Sequence, residues 1–325
     1  MKVCTVGAGA IGGLIGTRLA RAGEAVSAVA RGATASRLRE RGWRLEMDGE
    51  LLTAPARVAE EPRDLGPQDL VIIAVKAPAL ADVAARIAPL LARDTIVLTA
   101  MNGVPWWFFD GLGGRHEGLK LASIDPQGRI AKAIPTKHVV GCVVHVTAST
   151  PEPGLVRHGF GKRLIIGEPA GGASERVTAL AQMLARAGFE APVSPRIQTD
   201  IWYKLWGNMT MNPISALTGA TSDKILGDPL ISAFCLAAMR EAAAIGTRIG
   251  CPIQQSGEDR LAVARQLGPF KTSMLQDLEA GKPLEIDALL TVVHEIGGIV
   301  GEPTPQIDAL LGLARLQART HGLYP

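Results

Sequence analysis

A glycine-rich turn close to the start of the chain constrains the fold more than any other feature. The segment from Gly7 to Gly12 follows the apolar strand pattern of residues 2–6 and precedes a helical pattern. In such a unit the first glycine permits the tight turn, the second lets the backbone approach a pyrophosphate, and the third lets helix and strand pack closely. This context predicts a dinucleotide site formed by Gly7, Ala8, Gly9, Ala10, Ile11 and Gly12.

Short apolar strands alternate with helical patterns through the first half of the chain, which predicts a mainly parallel, doubly wound sheet. The strand candidates are Lys2–Val6, Ala25–Ala30, Leu70–Val75, Thr95–Leu98, Val139–Thr147 and Leu164–Ile166. The helix candidates are Ile11–Ala22, Ala33–Arg41, Leu80–Leu91 and Ser174–Gly188. A turn signal at residues 151–154 predicts that the last two strand regions form an antiparallel hairpin extending the sheet.

From about Pro195 onward the pattern becomes almost wholly helical. The helix candidates there are Ile197–Leu217, Pro229–Ile249, Gly257–Leu267, Ser273–Ala280, Asp287–Val300 and Pro305–Thr320. Pro213 is expected to end or kink the first of them, because proline lacks a backbone N–H. The predicted fold class is therefore α/β, an N-terminal Rossmann-type doubly wound sheet with a C-terminal all-helical domain. The predicted domains are residues 1–194, binding the cofactor, and residues 195–325, binding the substrate.

Composition excludes several other classes. A length of 325 residues fits about two domains. The net charge is +3, and the lysines and arginines are scattered along the sequence rather than clustered, which argues against a nucleic-acid partner. No apolar run approaches the ~18 residues of a membrane span, and we expect no signal peptide before the first strand. The four cysteines and six histidines show no metal-ligand spacing. We therefore expect a cytoplasmic protein with reduced thiols, no metal, and no membrane or nucleic-acid partner.

The end of the second strand indicates which dinucleotide binds. An acidic residue there would bind the ribose 2′-hydroxyl of NAD and repel a 2′-phosphate. This strand ends in Arg31 instead, and a guanidinium would pair with the 2′-phosphate. We therefore predict NADP(H). Lys76 and Asn102 follow two further strands, and the carboxyl ends of parallel strands are where ligands bind. Each could otherwise be an ordinary polar loop residue.

The helix that begins the second half carries two stripes. Trp202, Leu205, Trp206 and Met209 have the spacing of a core-facing stripe. Lys204, Asn208 and Asn212 recur every four residues and line a neighbouring face. One cation and two amides could bind the carboxylate and carbonyl of a 2-oxo acid, and the ammonium could protonate the alkoxide formed by hydride transfer. A solvated face is the alternative.

These features occur together with two later motifs, Ser-Met-Leu-Gln-Asp at residues 273–277 and Glu-Ile-Asp at residues 285–287. In this order they resemble the ketopantoate reductase (2-dehydropantoate 2-reductase) family over nearly the whole chain. The resemblance implies NADPH-dependent reduction of 2-dehydropantoate to (R)-pantoate, a step of pantothenate biosynthesis, at a site between the two domains.

The resemblance also implies a role for each matching residue. Lys204 would be the general acid, and Glu285 the acidic partner near Lys204 and the nicotinamide ribose. The implied substrate-binding residues are Asn102, Asn208, Asn212 and Ser273. Arg31 and Lys76 would contact the adenosine phosphate end, and Asn102 would lie near the reacting centre. Without the resemblance, Glu285 would be a charge at a helix start and Ser273 an N-cap.

An aromatic run, Trp106–Phe109, follows the Asn102 loop. It could form an apolar wall of the substrate pocket and favour a bulkier 2-oxo acid, or it could serve local packing or a subunit contact. Other readings of the whole chain are a related oxidoreductase with a different catalytic set and a non-enzymatic NADP-binding sensor. A homodimer is compatible with the apolar helices.

Overall fold

The computed structural model describes residues 1–266 and 268–325, which divide into two units. Unit 1 comprises residues 1–101, 107–118 and 127–197. Unit 2 comprises residues 102–106, 119–126 and 198–325. The sequence predicted a single boundary after residue 194 and did not anticipate the two short segments that group with the helical residues.

Hydrogen bonds explain why these short segments group with unit 2. The backbone N–H of Val104 donates to the carbonyl of Ala288 (3.1 Å). The backbone N–H groups of Ala122 and Ser123 donate to the Glu295 carboxylate at 2.7 and 2.9 Å. Val104 is buried and Ser123 half-buried, so their backbone donors need such partners. The partners of all three donors belong to helical residues late in the chain.

Within the described part of the chain, unit 1 contains a nine-stranded sheet in the order β4-β3-β9-β8-β7-β6-β1-β2-β5. The strands are β1 (Lys2–Val6), β2 (Ala25–Val29), β3 (Trp43–Met47), β4 (Glu50–Ala54), β5 (Arg57–Ala59), β6 (Leu70–Ile73), β7 (Ile96–Thr99), β8 (Val139–Glu152) and β9 (Leu155–Gly167). Among the strands described, only the β3–β4 and β8–β9 pairs are antiparallel. The predicted hairpin that extends the sheet is confirmed.

The strand order determines where a ligand can bind. The six parallel strands β5-β2-β1-β6-β7-β8 have the doubly wound order. Strands β2 and β5 are added on one side of β1, and β6, β7 and β8 are then added on its other side. That reversal falls between β1 and β6, whose register pairs Val6 with Ile73. Ligands bind at such a switch point, outside the carboxyl ends of the strands. Residues that follow β1 and β6 therefore lie where a dinucleotide is expected.

Central strands of unit 1 are apolar along their whole length because both faces are covered. All four residues of β6 and all four of β7 are buried. Continuous runs of valine, isoleucine and leucine are typical of parallel strands that are buried on both faces.

Helices of unit 1 follow the predicted alternation. They are α1 (Ala10–Arg21), α2 (Gly32–Arg41), α3 (Leu80–Arg86), α4 (Arg129–Ala133) and α5 (Glu175–Arg186). The predicted helix Leu80–Leu91 is shorter in the structure, because Pro89 cannot continue it and a 3₁₀ turn forms at Ala88–Leu90. The fold class predicted from the sequence is confirmed.

Unit 2 is helical. Its helices are α6 (Ile197–Thr218, whose first residue belongs to unit 1), α7 (Ser222–Gly227), α8 (Pro229–Arg248), α9 (Gly257–Gln266), α10 (Ser273–Glu279), α11 (Val292–Val300) and α12 (Pro305–Thr320). A π-helix, Asp287–Thr291, leads into α11. The last residue of the predicted helix Gly257–Leu267 lies outside the described residues.

Of the two outcomes predicted for Pro213, an end or a kink, helix α6 does not end there but continues to Thr218. A proline removes only one backbone donor, and its fixed φ suits a helix. The continuation is supported from outside the helix, because the side-chain amide of Gln317 donates to the carbonyl of Ala216 (2.7 Å).

Helix α8 passes a length and composition test for a membrane-spanning helix, with mean hydropathy 1.4 and 33% of the window buried. Arg240 and Glu241 interrupt its apolar residues, so it is not an unbroken apolar run. Core helices pass the same test, and the carboxylate of Glu241 in α8 accepts the backbone N–H of Ile307 in α12 (3.0 Å). The helix thus packs as part of unit 2.

Candidate active site

Two tryptophans fix the rotation of helix α6 in unit 2. Trp202 and Trp206 are buried. Their indole N–H groups donate to the carbonyls of Ala242 (3.1 Å) and Met239 (2.7 Å) in α8. Because these bonds hold one stripe of α6 against α8, the neighbouring stripe must face another direction. That neighbouring stripe carries the polar residues predicted to be functional.

Lys204 meets an amide from a distant part of the chain. Its ammonium donates to the Asn102 side-chain oxygen at 2.8 Å. Both residues are half-buried, and so is Asn208 one turn further along α6. The bond orients the ammonium and brings together two predicted site residues that are 102 positions apart.

A glycine allows the Asn102 loop to approach the π-helix. Gly103 has φ +83°, and a Cβ there would lie 2.4 Å from the carbonyl oxygen of Ala288. No other residue type fits this position without moving the backbone. Gly103 was not predicted as a site residue, although a glycine directly after a candidate site residue is a signal for a strained or closely packed backbone.

Gly103→Ala should destabilise the protein by about 1 to 3 kcal/mol, because alanine disfavours this φ and its Cβ overlaps backbone. Thermal denaturation would measure the effect. Gly250→Ala is the matched control, since Gly250 has φ +80° with nothing within 4 Å of its Cβ position. Equal losses of stability in the two variants would show that the contact with Ala288 is unimportant.

The far end of the polar stripe contacts the start of helix α10. Asn212 is buried, and its amide nitrogen lies 3.5 Å from the Ser273 hydroxyl, at the outer limit of a hydrogen bond. The N-cap of α10 is Thr272, whose hydroxyl accepts the N–H of Leu275 (3.3 Å). Ser273 is therefore not the N-cap, and its exposed hydroxyl is available to a ligand.

Glu285 lies in the loop before the π-helix, with 5% of its surface exposed. The chain is held on both sides of it. The N–H of Leu284 donates to the carbonyl of Leu323 (3.2 Å), and the phenol of Tyr324 donates to the Asp287 carboxylate (2.7 Å). Burial and this bond raise the pKa of Tyr324, so the phenol keeps its proton and remains a donor. The predicted pairing of Glu285 with Lys204 stays a prediction.

In unit 1, the Gly7–Gly12 turn has the geometry that its sequence predicts. Gly7 has φ +93°, and a Cβ on Gly12 would lie 2.0 Å from the Gly7 carbonyl oxygen. A Cβ on Gly9 would meet nothing within 4 Å. The first turn of α1 contains no acidic residue. The close contact at Gly12 and the open space at Gly9 fit a pyrophosphate bound at the helix N-terminus.

Two cations stand at the same edge of the sheet as this turn, because β1, β2 and β6 are parallel neighbours. Arg31 follows β2 as the N-cap of α2, with 54% of its side chain exposed. It lies 3.4 Å from Asp82, an ion pair between two exposed side chains that a phosphate could displace. Lys76 is half-buried and lies three residues beyond β6.

The aromatic run packs inside the protein rather than lining an open surface. Trp107, Phe108 and Phe109 belong to unit 1 and expose at most 1% of their area. A Cβ on Gly141 of β8 would lie 2.6 Å from the Trp107 ring. This contact favours the local-packing interpretation over a pocket wall.

No metal site accompanies these residues. Among residues 1–266 and 268–325, no group of three or more histidine, cysteine or acidic side chains could hold a metal ion. All four cysteines are buried, and none of them forms a disulfide.

A Rossmann-type sheet with this glycine turn, joined to an all-helical unit, is the architecture of a class of dinucleotide-dependent oxidoreductases. Two family models described as ketopantoate reductase PanE/ApbA and its C-terminal part match residues 3–171 and 196–318. The chain belongs to the ketopantoate reductase family, and it is an enzyme of that oxidoreductase family.

Individual relatives agree with this assignment. A 2-dehydropantoate 2-reductase from Mesorhizobium japonicum is 47% identical over the full length of both chains. A crystal structure from Ralstonia solanacearum MolK2, assigned to the ketopantoate reductases, is 63% identical with a TM-score of 0.96, covering 99% of each chain. A D-mandelate dehydrogenase complex with NADH and anilino(oxo)acetate shares the fold at 22% identity and TM-score 0.86, covering 99% of this chain and 100% of that one.

Proposed function

We propose that the protein uses NADPH to reduce the carbonyl of a 2-oxo acid, with 2-dehydropantoate, reduced to (R)-pantoate, as the substrate. The observation that carries the proposal is the 2.8 Å bond between the Lys204 ammonium and the Asn102 amide on a half-buried helix face. A proton donor aimed in advance is what a carbonyl reduction needs. The relative that is 47% identical and named for this reaction supports the choice of substrate.

Side chains of unit 2 would bind the substrate and supply the proton. When bound, NADPH supplies the hydride that reduces the carbonyl carbon. The carbonyl oxygen of the substrate then carries the developing negative charge, which the Lys204 ammonium stabilises and neutralises by proton transfer from Nζ. Asn208, Asn212 and Ser273 would donate hydrogen bonds to the substrate, and Asn102 would hold Lys204 in position. Glu285 would act as the acidic partner of Lys204 and bind a ribose hydroxyl.

Unit 1 would hold the cofactor. The Gly7–Gly12 turn and the N-terminus of α1 would bind the pyrophosphate. Arg31 would bind the 2′-phosphate, and Lys76 would contact the adenosine phosphate end. In this proposal no described residue of unit 1 donates or accepts a proton.

The proposal is tested by following NADPH oxidation at 340 nm (the reduced-nicotinamide band) with a panel of 2-oxo acids. We expect 2-dehydropantoate to give the highest kcat/KM. A preference for a bulkier acid would favour the alternative of a related reductase with a different substrate. Failure to reduce any 2-oxo acid would reject the proposed function. The remaining alternative would then be a non-enzymatic NADP-binding sensor, which membership of an enzyme family disfavours.

Arg31→Asp should shift cofactor preference toward NADH by about 10- to 100-fold in the ratio of kcat/KM values, because it removes charge-assisted bonds to the 2′-phosphate and adds a repelling carboxylate. Steady-state kinetics with both cofactors measure the ratio. Arg39→Asp is the matched control, since Arg39 lies on the same helix and pairs with Glu60 (3.1 Å). An unchanged ratio in the Arg31 variant would mean that Arg31 does not bind the phosphate.

Compartment and assembly also remain proposals. Four buried cysteines that form no disulfide suit a reducing compartment, and we propose the cytoplasm. The expected partner is the small 2-oxo acid alone, and a homodimer remains a prediction.

A further inference from the structure

The last residues of the chain fold back onto the loop before the π-helix. Helix α12 ends in a glycine turn, in which Gly322 has φ +67°. The N–H of Gly322 donates to the carbonyl of Arg319 (2.9 Å), and the N–H of Leu323 donates to the carbonyl of Ala318 (2.8 Å). These two bonds form a Schellman motif, which ends the helix. The chain then meets the loop, where the carbonyl of Leu323 accepts the N–H of Leu284 (3.2 Å).

The phenol of Tyr324 ties the end of the chain to the π-helix itself. It donates to the carboxylate of Asp287, the first residue of the π-helix, at 2.7 Å. The same carboxylate oxygen accepts the hydroxyl of Thr291, the last residue of the π-helix, at 2.7 Å. A terminal nitrogen of Arg315 in α12 donates in turn to the Thr291 hydroxyl (3.0 Å). All four side chains are half-buried, so these bonds are partly protected from water.

The π-helix is also the element that holds the Asn102 loop. The N–H of Val104 donates to the carbonyl of Ala288 (3.1 Å), and a Cβ on the preceding glycine would lie 2.4 Å from the same oxygen. Ala288 directly follows Asp287. A shift of the Ala288 carbonyl would therefore move this loop and, with it, the side-chain oxygen of Asn102. That oxygen accepts the Lys204 ammonium at 2.8 Å.

The geometry of this segment explains why it needs support from outside. The N–H of Val292 donates to the carbonyl of Asp287, five residues earlier, instead of pairing at the α-helical spacing of four. Such π-helical turns are rare in proteins and occur frequently at functional sites. The Tyr324 and Leu323 bonds provide contacts on the outside of this turn and of the loop before it.

We propose that Tyr324 is a positioning residue for the reduction of the 2-oxo acid. Its hydroxyl holds Asp287 and thereby keeps the π-helix where the Asn102 loop needs it. The loop in turn aims the Lys204 ammonium at the carbonyl oxygen of the substrate. The inference rests on the proposed function and deepens it by naming a residue that acts on the proton donor through Asn102. A small displacement of a proton donor slows a reaction, because the reacting atoms must stay within hydrogen-bond reach.

The test is a double-mutant cycle of Tyr324→Phe and Asn102→Ala, with kcat measured by NADPH oxidation at saturating 2-oxo acid. Tyr324→Phe keeps the ring and removes only the hydroxyl. In the otherwise wild-type protein it should lower kcat about 3- to 10-fold, the effect of one hydrogen bond, and change the KM for NADPH less than about twofold. In Asn102→Ala the same substitution should change kcat less than about twofold, because two changes that act through one contact are not additive.

Tyr203→Phe is the matched control, because Tyr203 and Tyr324 are the two tyrosines of the chain. The Tyr203 hydroxyl also donates one side-chain hydrogen bond, to Gln255. Its removal should leave kcat unchanged. Thermal denaturation of each variant measures the loss of stability separately from the loss of kcat.

An unchanged kcat in Tyr324→Phe would overturn the inference while the proposed function stands. Equal fold losses with and without the Asn102 amide would also overturn it, since Tyr324 would then act independently of that contact, and so would an equal loss of kcat in Tyr203→Phe. If Tyr324→Phe does not fold, Asp287→Ser removes the acceptor of the same bond and decides by the same comparison. A wild-type protein that reduces no 2-oxo acid would overturn both the inference and the proposed function.

Discussion

Lys204→Ala should lower kcat by about 10²- to 10⁴-fold, the usual contribution of a positioned acid. The ammonium is the only group in the proposal that neutralises the oxygen of the substrate as hydride arrives. Its bond to Asn102 (2.8 Å) orients it. NADPH oxidation at saturating 2-oxo acid measures kcat directly.

A second variant of Lys204 separates its role as a proton donor from the role of its positive charge, and a variant of another lysine serves as the control. Lys204→Arg keeps a positive charge, but a guanidinium does not give up its proton in proteins, so kcat should fall while the KM for the acid changes little. Lys224→Ala, at an exposed position of α7, should behave as wild type. A kcat in Lys204→Ala equal to that of wild type would remove this residue from the mechanism, whatever the substrate.

Much of the fold was predictable because local patterns and long-range packing agree. β1 and α12 have the predicted bounds, and strands such as β6 could be recognised as buried apolar runs. Strands β3 and β4 were missed although Asp48-Gly49 joins them with positive φ at both residues (52° and 81°). Aspartate-glycine is a strong hairpin signal, and Trp43–Met47 alternates between apolar and polar residues, so the sequence carried evidence for this hairpin. The second strand, Glu50–Ala54, does not alternate in this way.

The candidate site was only partly predictable. The spacing of Lys204, Asn208 and Asn212 shows that they share a helix face, since the helical period is local information. The contact of Lys204 with Asn102 depends on tertiary structure, and the sequence supplies it only through the family resemblance.

Gly12→Ala should abolish tight NADPH binding and destabilise the protein without its cofactor. The new Cβ would lie 2.0 Å from the Gly7 carbonyl oxygen and 3.1 Å from the Ala74 Cβ. Helix α1 would have to move away from β1, at a cost of about 1 to 3 kcal/mol or more. The N–H groups at its start would then no longer meet the pyrophosphate. Thermal denaturation and titration of NADPH fluorescence measure the two effects separately.

Gly9→Ala is the companion variant, because it should weaken NADPH binding without changing the stability of the cofactor-free protein. Its Cβ would meet no atom within 4 Å, so the stability of the cofactor-free protein should be unchanged. A dinucleotide that approaches the backbone closely at Gly9 would collide with the new methyl group, and NADPH affinity should fall by about tenfold or more. Full affinity in Gly9→Ala would show that the open space beside Gly9 is not where the pyrophosphate binds, and the assignment of the turn would then have to rest on Gly12 alone.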